Sequence, residues 1–121
     1  MSKKGVDISF IKPAVDNDDW KREVTDQTGT LVIVEVFSSK WGPCSHLDGH
    51  YQALYYDKAE SFAIKFVRAQ ADAISALITY KDSSKPCFLL YLDQAEQAKI
   101  EGPNLPELRK QIAALAPAAA A

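Results

Sequence analysis

Residues 31–37, LVIVEVF, are apolar and largely β-branched except for Glu35. A run without a polar face predicts a central strand covered on both sides. CFLLYL at 87–92 has the same character, and FAIKFVRA at 62–69 reads as a further strand. VDISFI at 6–11 alternates enough for a first strand, which Pro13 is expected to end. After a turn at Asp93–Ala95, a short edge strand is expected near 98–101.

Between the strands the period changes. VDNDDWKREV offers Asp16 or Asn17 as an N-cap, with acids in the first turn and an apolar spacing from Trp20 to Val24, and so predicts a short amphipathic helix closed by Gly29. Over 44–56, Leu47, Tyr51, Leu54 and Tyr55 fall at i, i+4, i+7 and i+8, a helix that Gly49 weakens by about 1 kcal/mol and could bend. Asp72 is expected to cap a short helix through Ile74, Leu77 and Ile78, before SSKP interrupts. Gly102 breaks the last strand. Asn104 and Glu107 then stand as N-cap and N3 of a helix over 105–115.

The order is β-α-β-α-β-α-β-β-α. Alternating strands and helices imply right-handed crossovers, and the closing ββ pair makes the sheet mixed. The fold class is therefore α/β, with a four- to five-stranded central sheet and helices on both faces. One domain is expected over 1–116, followed by a frayed alanine-rich tail at 117–121. Tyr51, Tyr55, Phe62, Phe66 and Phe88 fall on core positions.

Composition narrows the chemistry. The net charge is −2 with no dense Lys/Arg stripe, which disfavours nucleic-acid or anionic-membrane binding by bulk charge. No stretch approaches the roughly 20 apolar residues of a membrane span. The basic start has no apolar run of signal-sequence length. Cys44 and Cys87 are too few for a disulfide scaffold or a zinc cage, so a cytoplasmic protein with reduced thiols is expected. His46 and His50 stand four apart with Asp48 between them, but with no third ligand they read as a solvated helix face rather than a metal site. No cofactor is implied.

The most informative stretch is VEVFSSKWGPC, followed about 42 residues later by KPCFLLYL, a turn, an edge strand and Gly102. This combination resembles the thioredoxin family over residues 5–115, and implies the thioredoxin fold. In that family the strand is followed by Trp-Cys-Gly-Pro-Cys; the first thiol attacks a disulfide and the second resolves the mixed disulfide. Aligned without a gap, Cys44 falls on the resolving cysteine, Gly42 and Pro43 on the intervening pair, Trp41 on the attacking cysteine and Lys40 on the usual tryptophan. An indole cannot attack sulfur. Ordinary dithiol reductase activity is not expected, and Trp41, Gly42, Pro43, Cys44, Glu35 and Pro86 form a vestigial redox site.

The resemblance assigns further roles. Glu35 aligns with the buried acid that assists proton transfer, and burial would favour its neutral form. The plainer reading is an acid satisfied by a hydrogen bond or by Lys40 or Lys65. Pro86 aligns with the family's cis-proline, beside which bound peptides pair with the backbone. Cys87 is either a redox partner for Cys44 or, more simply, a buried small hydrophobe. Trp41 falls on a rim where partners dock, and exposed tryptophans dominate interfaces; the other reading folds it back over the helix. Trp41, Gly42, Pro43, Lys85 and Pro86 are the candidate partner-binding residues.

Within the family the chain is similar to the thioredoxin-like light chains of axonemal outer-arm dynein and their relatives fused to nucleoside-diphosphate kinase modules. The matching segments are VDNDDW, VIVEVF, ADAISALITYKDSSKPCFLLYL and IEGPN. The resemblance implies an adaptor in the axoneme of a motile cilium or flagellum, with dynein heavy or intermediate chains as partners. The alternative is a monothiol oxidoreductase or redox sensor that uses Cys44.

Overall fold

A computed structural model describes residues 8–42, 47–82 and 87–118. Its elements are β1 (Ile11–Ala14), α1 (Asn17–Trp20) running into a π-helical turn (Lys21–Thr25), β2 (Leu31–Phe37), α2 (Asp48–Lys58) and β3 (Ile64–Gln70). Two 3-10 turns follow (Ala71–Ala73 and Ser75–Tyr80), then β4 (Cys87–Leu92), β5 (Ala95–Glu101) and α3 (Leu105–Leu115).

The five strands lie in the order β1-β3-β2-β4-β5. β1, β3 and β2 run parallel, whereas β4 is antiparallel to both β2 and β5. The mixed sheet expected from the element order is therefore five-stranded. Strand period 2 divides the apolar residues between two faces. Val32, Val34, Val36, Val67 and Leu89 pack with Trp20, Val24, Ile74 and Leu77 on one side. Leu31, Ile33, Phe66, Phe88 and Leu90 pack with Tyr51 and Leu54 of α2 and Leu108 and Ile112 of α3 on the other. β2 is buried on both faces, as a run apolar but for Glu35 requires.

The first strand departs from expectation. It begins at Ile11 rather than before it, and Pro13 lies inside it, in register with Arg68. β1 is an edge strand, where the missing N–H can face away from the ladder at no cost. Phe10, just before β1, stacks on Tyr55 at 4.5 Å and meets Phe66 edge-on. Residues 6 and 7 lie outside the described residues.

Capping follows the sequence closely. Asp16 Oδ1 accepts from the Asp19 amide at 2.7 Å, and Asn104 Oδ1 accepts from the Glu107 amide at 3.2 Å. The Glu107 carboxylate turns to Gln111 instead of closing the reciprocal bond. α2 spans Asp48–Lys58, so Gly49 falls in its first turn; positions 44–46 of the expected helix lie outside the described residues. The hairpin between β4 and β5 uses two residues at positive φ, Asp93 and Gln94, the turn geometry that matches strand twist. This tight turn lets β5 start at Ala95 and run longer than expected. The first residues of the expected tail are tied down: Pro117 O accepts from the Ala63 amide at 2.8 Å, and Ala118 bridges Phe62. No helix among the described residues is long and apolar enough to cross a membrane.

Candidate functional site

Because β1, β3 and β2 are parallel, their C-terminal ends and the loops that follow lie at one end of the sheet. The loop after β2 carries Ser38, Ser39, Lys40, Trp41 and Gly42. Ser38 is 2% exposed. Its hydroxyl donates to the Lys81 carbonyl and accepts from the Lys40 amide at 3.2 Å. Its own carbonyl accepts from the amides of Trp41 (3.1 Å) and Gly42 (2.8 Å), which turns the chain sharply. Gly42 sits at φ +77°, a left-handed conformation that strains any side chain.

The next residue fixes this turn to the segment after β3. The Ser39 amide and hydroxyl donate to the two oxygens of Asp72 at 3.0 and 2.6 Å. Those bonds, the hydroxyl first, bring the Asp72 carboxyl down from 3.8 to about 2. Asp72 is thus a clamp on the Trp41 loop. The helix-capping role expected for it falls partly to Asn17, whose Oδ1 accepts from the Ser75 amide at 2.8 Å. Lys40 Nζ pairs with Asp82 at 3.1 Å on the surface.

Held by these bonds, Trp41 is 60% exposed. The indole stands out at the rim and does not fold back over the helix. Val15, just past β1, and Ile78, in the second 3-10 turn, are also large apolar residues left exposed. Both belong to connections leaving this end of the sheet, and sequence reasoning missed Val15. Pro43, Cys44, Lys85 and Pro86, together with His46, lie outside the described residues, as does the peptide bond at Pro86. Of the expected set, the described residues are Trp41 and Gly42, which share the loop after β2, and Glu35, which lies within β2.

Glu35 lies on the α2 face of β2 and is 2% exposed. Tyr51 of α2 donates its phenol to Oε2 at 2.6 Å, and Arg68 of β3 donates Nε to Oε1. The same guanidinium donates Nη2 to Asp48 in the first turn of α2 at 2.6 Å. Burial works against the Arg68 charge, but the hydrogen bonds and charges of Asp48 and Glu35 outweigh it and raise its pKa. Neither lysine considered for Glu35 reaches it. Lys65 points to the opposite face and pairs with Glu23 at 2.6 Å, while Lys40 pairs with Asp82. A usable signal was present: Arg68 shares the strand phase of Ile64 and Phe66 and stands beside Glu35 in the parallel register.

Cys87 is a free thiol, 5% exposed, packed with Val36 and Leu89. Burial pushes its pKa up; Lys99 opposes this next in size, and Glu101 and Glu96 add smaller upward effects. A raised pKa leaves less thiolate, the form that exchange chemistry needs. His50 is exposed on α2, and no cluster of metal-ligating side chains occurs among the described residues.

Comparison with known proteins agrees with this geometry. The thioredoxin family model matches residues 12–114. The chain is 35% identical over 108 residues to the dynein 14 kDa light chain of the flagellar outer arm of Chlamydomonas reinhardtii, covering 89% of this chain and 83% of that one. It is 37% identical over 91 residues to the 16 kDa light chain of the same arm, covering 73% of this chain but only 58% of that relative. In fold it resembles the crystal structure of thioredoxin NaTrxh from Nicotiana alata, with a TM-score of 0.69 at 20% identity over 93% of this chain and 97% of that one.

Proposed function

The chain belongs to the thioredoxin family, and from that premise we propose that it is a protein-binding light chain of the flagellar outer dynein arm, built to hold a partner rather than to reduce disulfides. The observation that carries the reading is its similarity, across most of its length, to two flagellar outer-arm light chains. Its place is then the axoneme, and its partners are dynein heavy or intermediate chains.

The chemistry of the site favours the same reading. Disulfide reduction needs a thiolate at the point of attack, and here that point carries an indole. The acid that would relay a proton has both oxygens occupied, Oε1 by Arg68 and Oε2 by Tyr51. What remains is a clamped loop presenting an exposed tryptophan, the residue type most enriched among interface hot spots. Trp41 and Gly42, with Pro43, Lys85 and Pro86 added from the family resemblance, form the proposed docking surface.

The test is a pull-down from axonemal extract with the purified chain, comparing wild type with Trp41→Ala. Dynein heavy or intermediate chains should be recovered by the wild type and largely lost with the variant. Failure to enrich any outer-arm protein would end the light-chain assignment, and equal recovery by the variant would remove Trp41 from the interface. Insulin-disulfide reduction by the same preparation should stay at background; a robust thiol-dependent rate would favour the oxidoreductase alternative through Cys44.

A further inference from the structure

Ser38 and Ser39 are chain neighbours that grip the two ends of one segment. Ser39 donates its amide and its hydroxyl to Asp72 at 3.0 and 2.6 Å, and the Ser38 hydroxyl donates to the carbonyl of Lys81. The connection from β3 to β4 is thereby fastened to the Trp41 loop at residue 72 and again at residue 81. Asp72 Oδ2 also accepts from Gln70 Nε2 at 3.2 Å, which anchors the carboxylate to the last residue of β3. Three positions on, Ser75 meets Asn17 in a second clasp of two bonds. The Ser75 amide donates to Asn17 Oδ1 at 2.8 Å, and Asn17 Nδ2 donates to the Ser75 hydroxyl at 3.1 Å. The segments that follow β1, β2 and β3 are thus joined to one another by side chains.

Trp41 adds little of its own to hold the loop, since its indole is 60% exposed. The amides of Trp41 and Gly42 both donate to the Ser38 carbonyl. Those bonds shape the turn without tying it to a neighbouring connection. The outward ties come from Ser38 and Ser39, and the pair on Asp72 is charge-assisted and so the stronger kind. A loop that must become ordered as a partner docks loses affinity to that ordering, whereas a loop already held in place does not. Ser38 is buried. Ser39 and Asp72 are exposed, so they can be changed without disturbing the core.

We propose that Asp72 is a positioning residue for the Trp41 surface: by holding Ser39 it keeps the loop in the conformation that a partner binds, without touching the partner itself. The inference rests on the light-chain reading and specifies what sets the affinity of that site. With the clamp closed, nearly every molecule presents the indole ready to dock. With the clamp open, only a fraction does, and the apparent dissociation constant rises in inverse proportion to that fraction. A fraction of about one tenth weakens binding about tenfold.

The test measures binding of the full chain to outer-arm dynein heavy and intermediate chains, extracted from axonemes and immobilised. Ser39→Ala and Asp72→Asn should each weaken binding about tenfold, while Ser39→Thr, which keeps the hydroxyl, should retain it. All three should keep the far-UV circular dichroism of the wild type. Because the two residues act through one contact, the double variant should bind no worse than the weaker single one. In a Trp20→Phe background without any partner, the fluorescence anisotropy of Trp41 should fall on Ser39→Ala, the sign of a loosened loop. Additive losses in the double variant would put Asp72 in direct contact with the partner and overturn the proposal. Undiminished binding by the single variants, or an unchanged Trp41 anisotropy, would overturn it too while leaving the light-chain reading intact. Absence of binding by the wild type is a separate outcome, which removes the light-chain reading and this proposal with it.

Discussion

Glu35 and Arg68 stand side by side in the parallel register of β2 and β3, and their side chains meet at 2.5 Å beneath α2. Glu35 is 3% and Arg68 13% exposed at the side chain. The second arm of the same guanidinium holds Asp48, at the start of α2. One cation thus ties two strands and the helix that follows the Trp41 loop.

Removing Arg68 leaves a buried carboxylate without its cation. Breaking a buried pair in this way costs about 3–5 kcal/mol, so Arg68→Ala should lower stability by that order in urea denaturation. Glu35→Leu combined with Arg68→Met should recover most of the loss, because the charge and its desolvation disappear together. A cost of Arg68→Ala below about 1 kcal/mol would mean that water or another group already satisfies Glu35.

Tyr51 contributes differently. It is fully buried and its ring packs against Phe66 and Phe88, so Tyr51→Phe preserves the packing and deletes the phenol that donates to Glu35. A buried acceptor losing one donor costs about 1–3 kcal/mol. In the Glu35→Leu/Arg68→Met background, where the phenol has lost that acceptor, the same substitution should no longer destabilise, and the difference between the two backgrounds measures the coupling.

These relationships mark how far the sequence could be read. β4 and α3 were legible to the residue because an unbroken apolar run and a capped amphipathic helix each have a local signature. Asp16 and Asn104 were legible as caps for the same reason. Pro13 misled, because proline's cost depends on whether the strand is central or at an edge, and strand order is a property of the whole sheet. Glu35 was singled out as the odd polar residue in β2, yet its cation, 33 positions away, could be chosen over Lys40 and Lys65 only once the register between β2 and β3 was known. Asp72 was misread for a similar reason. Its partner, Ser39, lies across the end of the sheet, and a local capping role is the natural reading of an acid before a short apolar run.

Asp72 also sets an acid limit on the Trp41 loop. Its carboxyl is depressed to about 2, chiefly by the Ser39 hydroxyl and then by the Ser39 amide. A depressed folded-state pKa stabilises the folded form above the unfolded value, near 3.8 here, and that contribution fades as pH falls toward 2. The Asp72 carboxyl carbon should therefore titrate near 2 by NMR in the wild type and move up toward 3.8 in Ser39→Ala. A wild-type midpoint already at the ordinary value would show that the clamp is not formed in solution.

Cys87 should be chemically quiet. In a Cys44→Ser background it is the remaining thiol, buried among Val36 and Leu89 and raised in pKa mainly by that burial. Labelling by an aromatic disulfide reagent at neutral pH should be much slower than for an unfolded control and should reach one equivalent on denaturation. Rapid labelling of the folded protein would place Cys87 within reach of solvent and revive it as a redox partner for Cys44.

The two tryptophans give a direct optical test of the docking surface. Trp20 is 6% exposed and packs edge-on against Tyr91 at 5.4 Å, whereas Trp41 is 60% exposed. In Trp20→Phe the remaining emission comes from Trp41 and should lie at long wavelength and be quenched readily by acrylamide; in Trp41→Phe the emission from Trp20 should be blue-shifted and protected. Because Trp41 packs little, Trp41→Phe should change stability by no more than about 0.5 kcal/mol. Adding an outer-arm partner should then shift the Trp41 signal to the blue and shield it from acrylamide while leaving Trp20 unchanged, since only the rim indole loses water on docking. A partner that binds without altering Trp41 emission or quenching must sit elsewhere on the molecule.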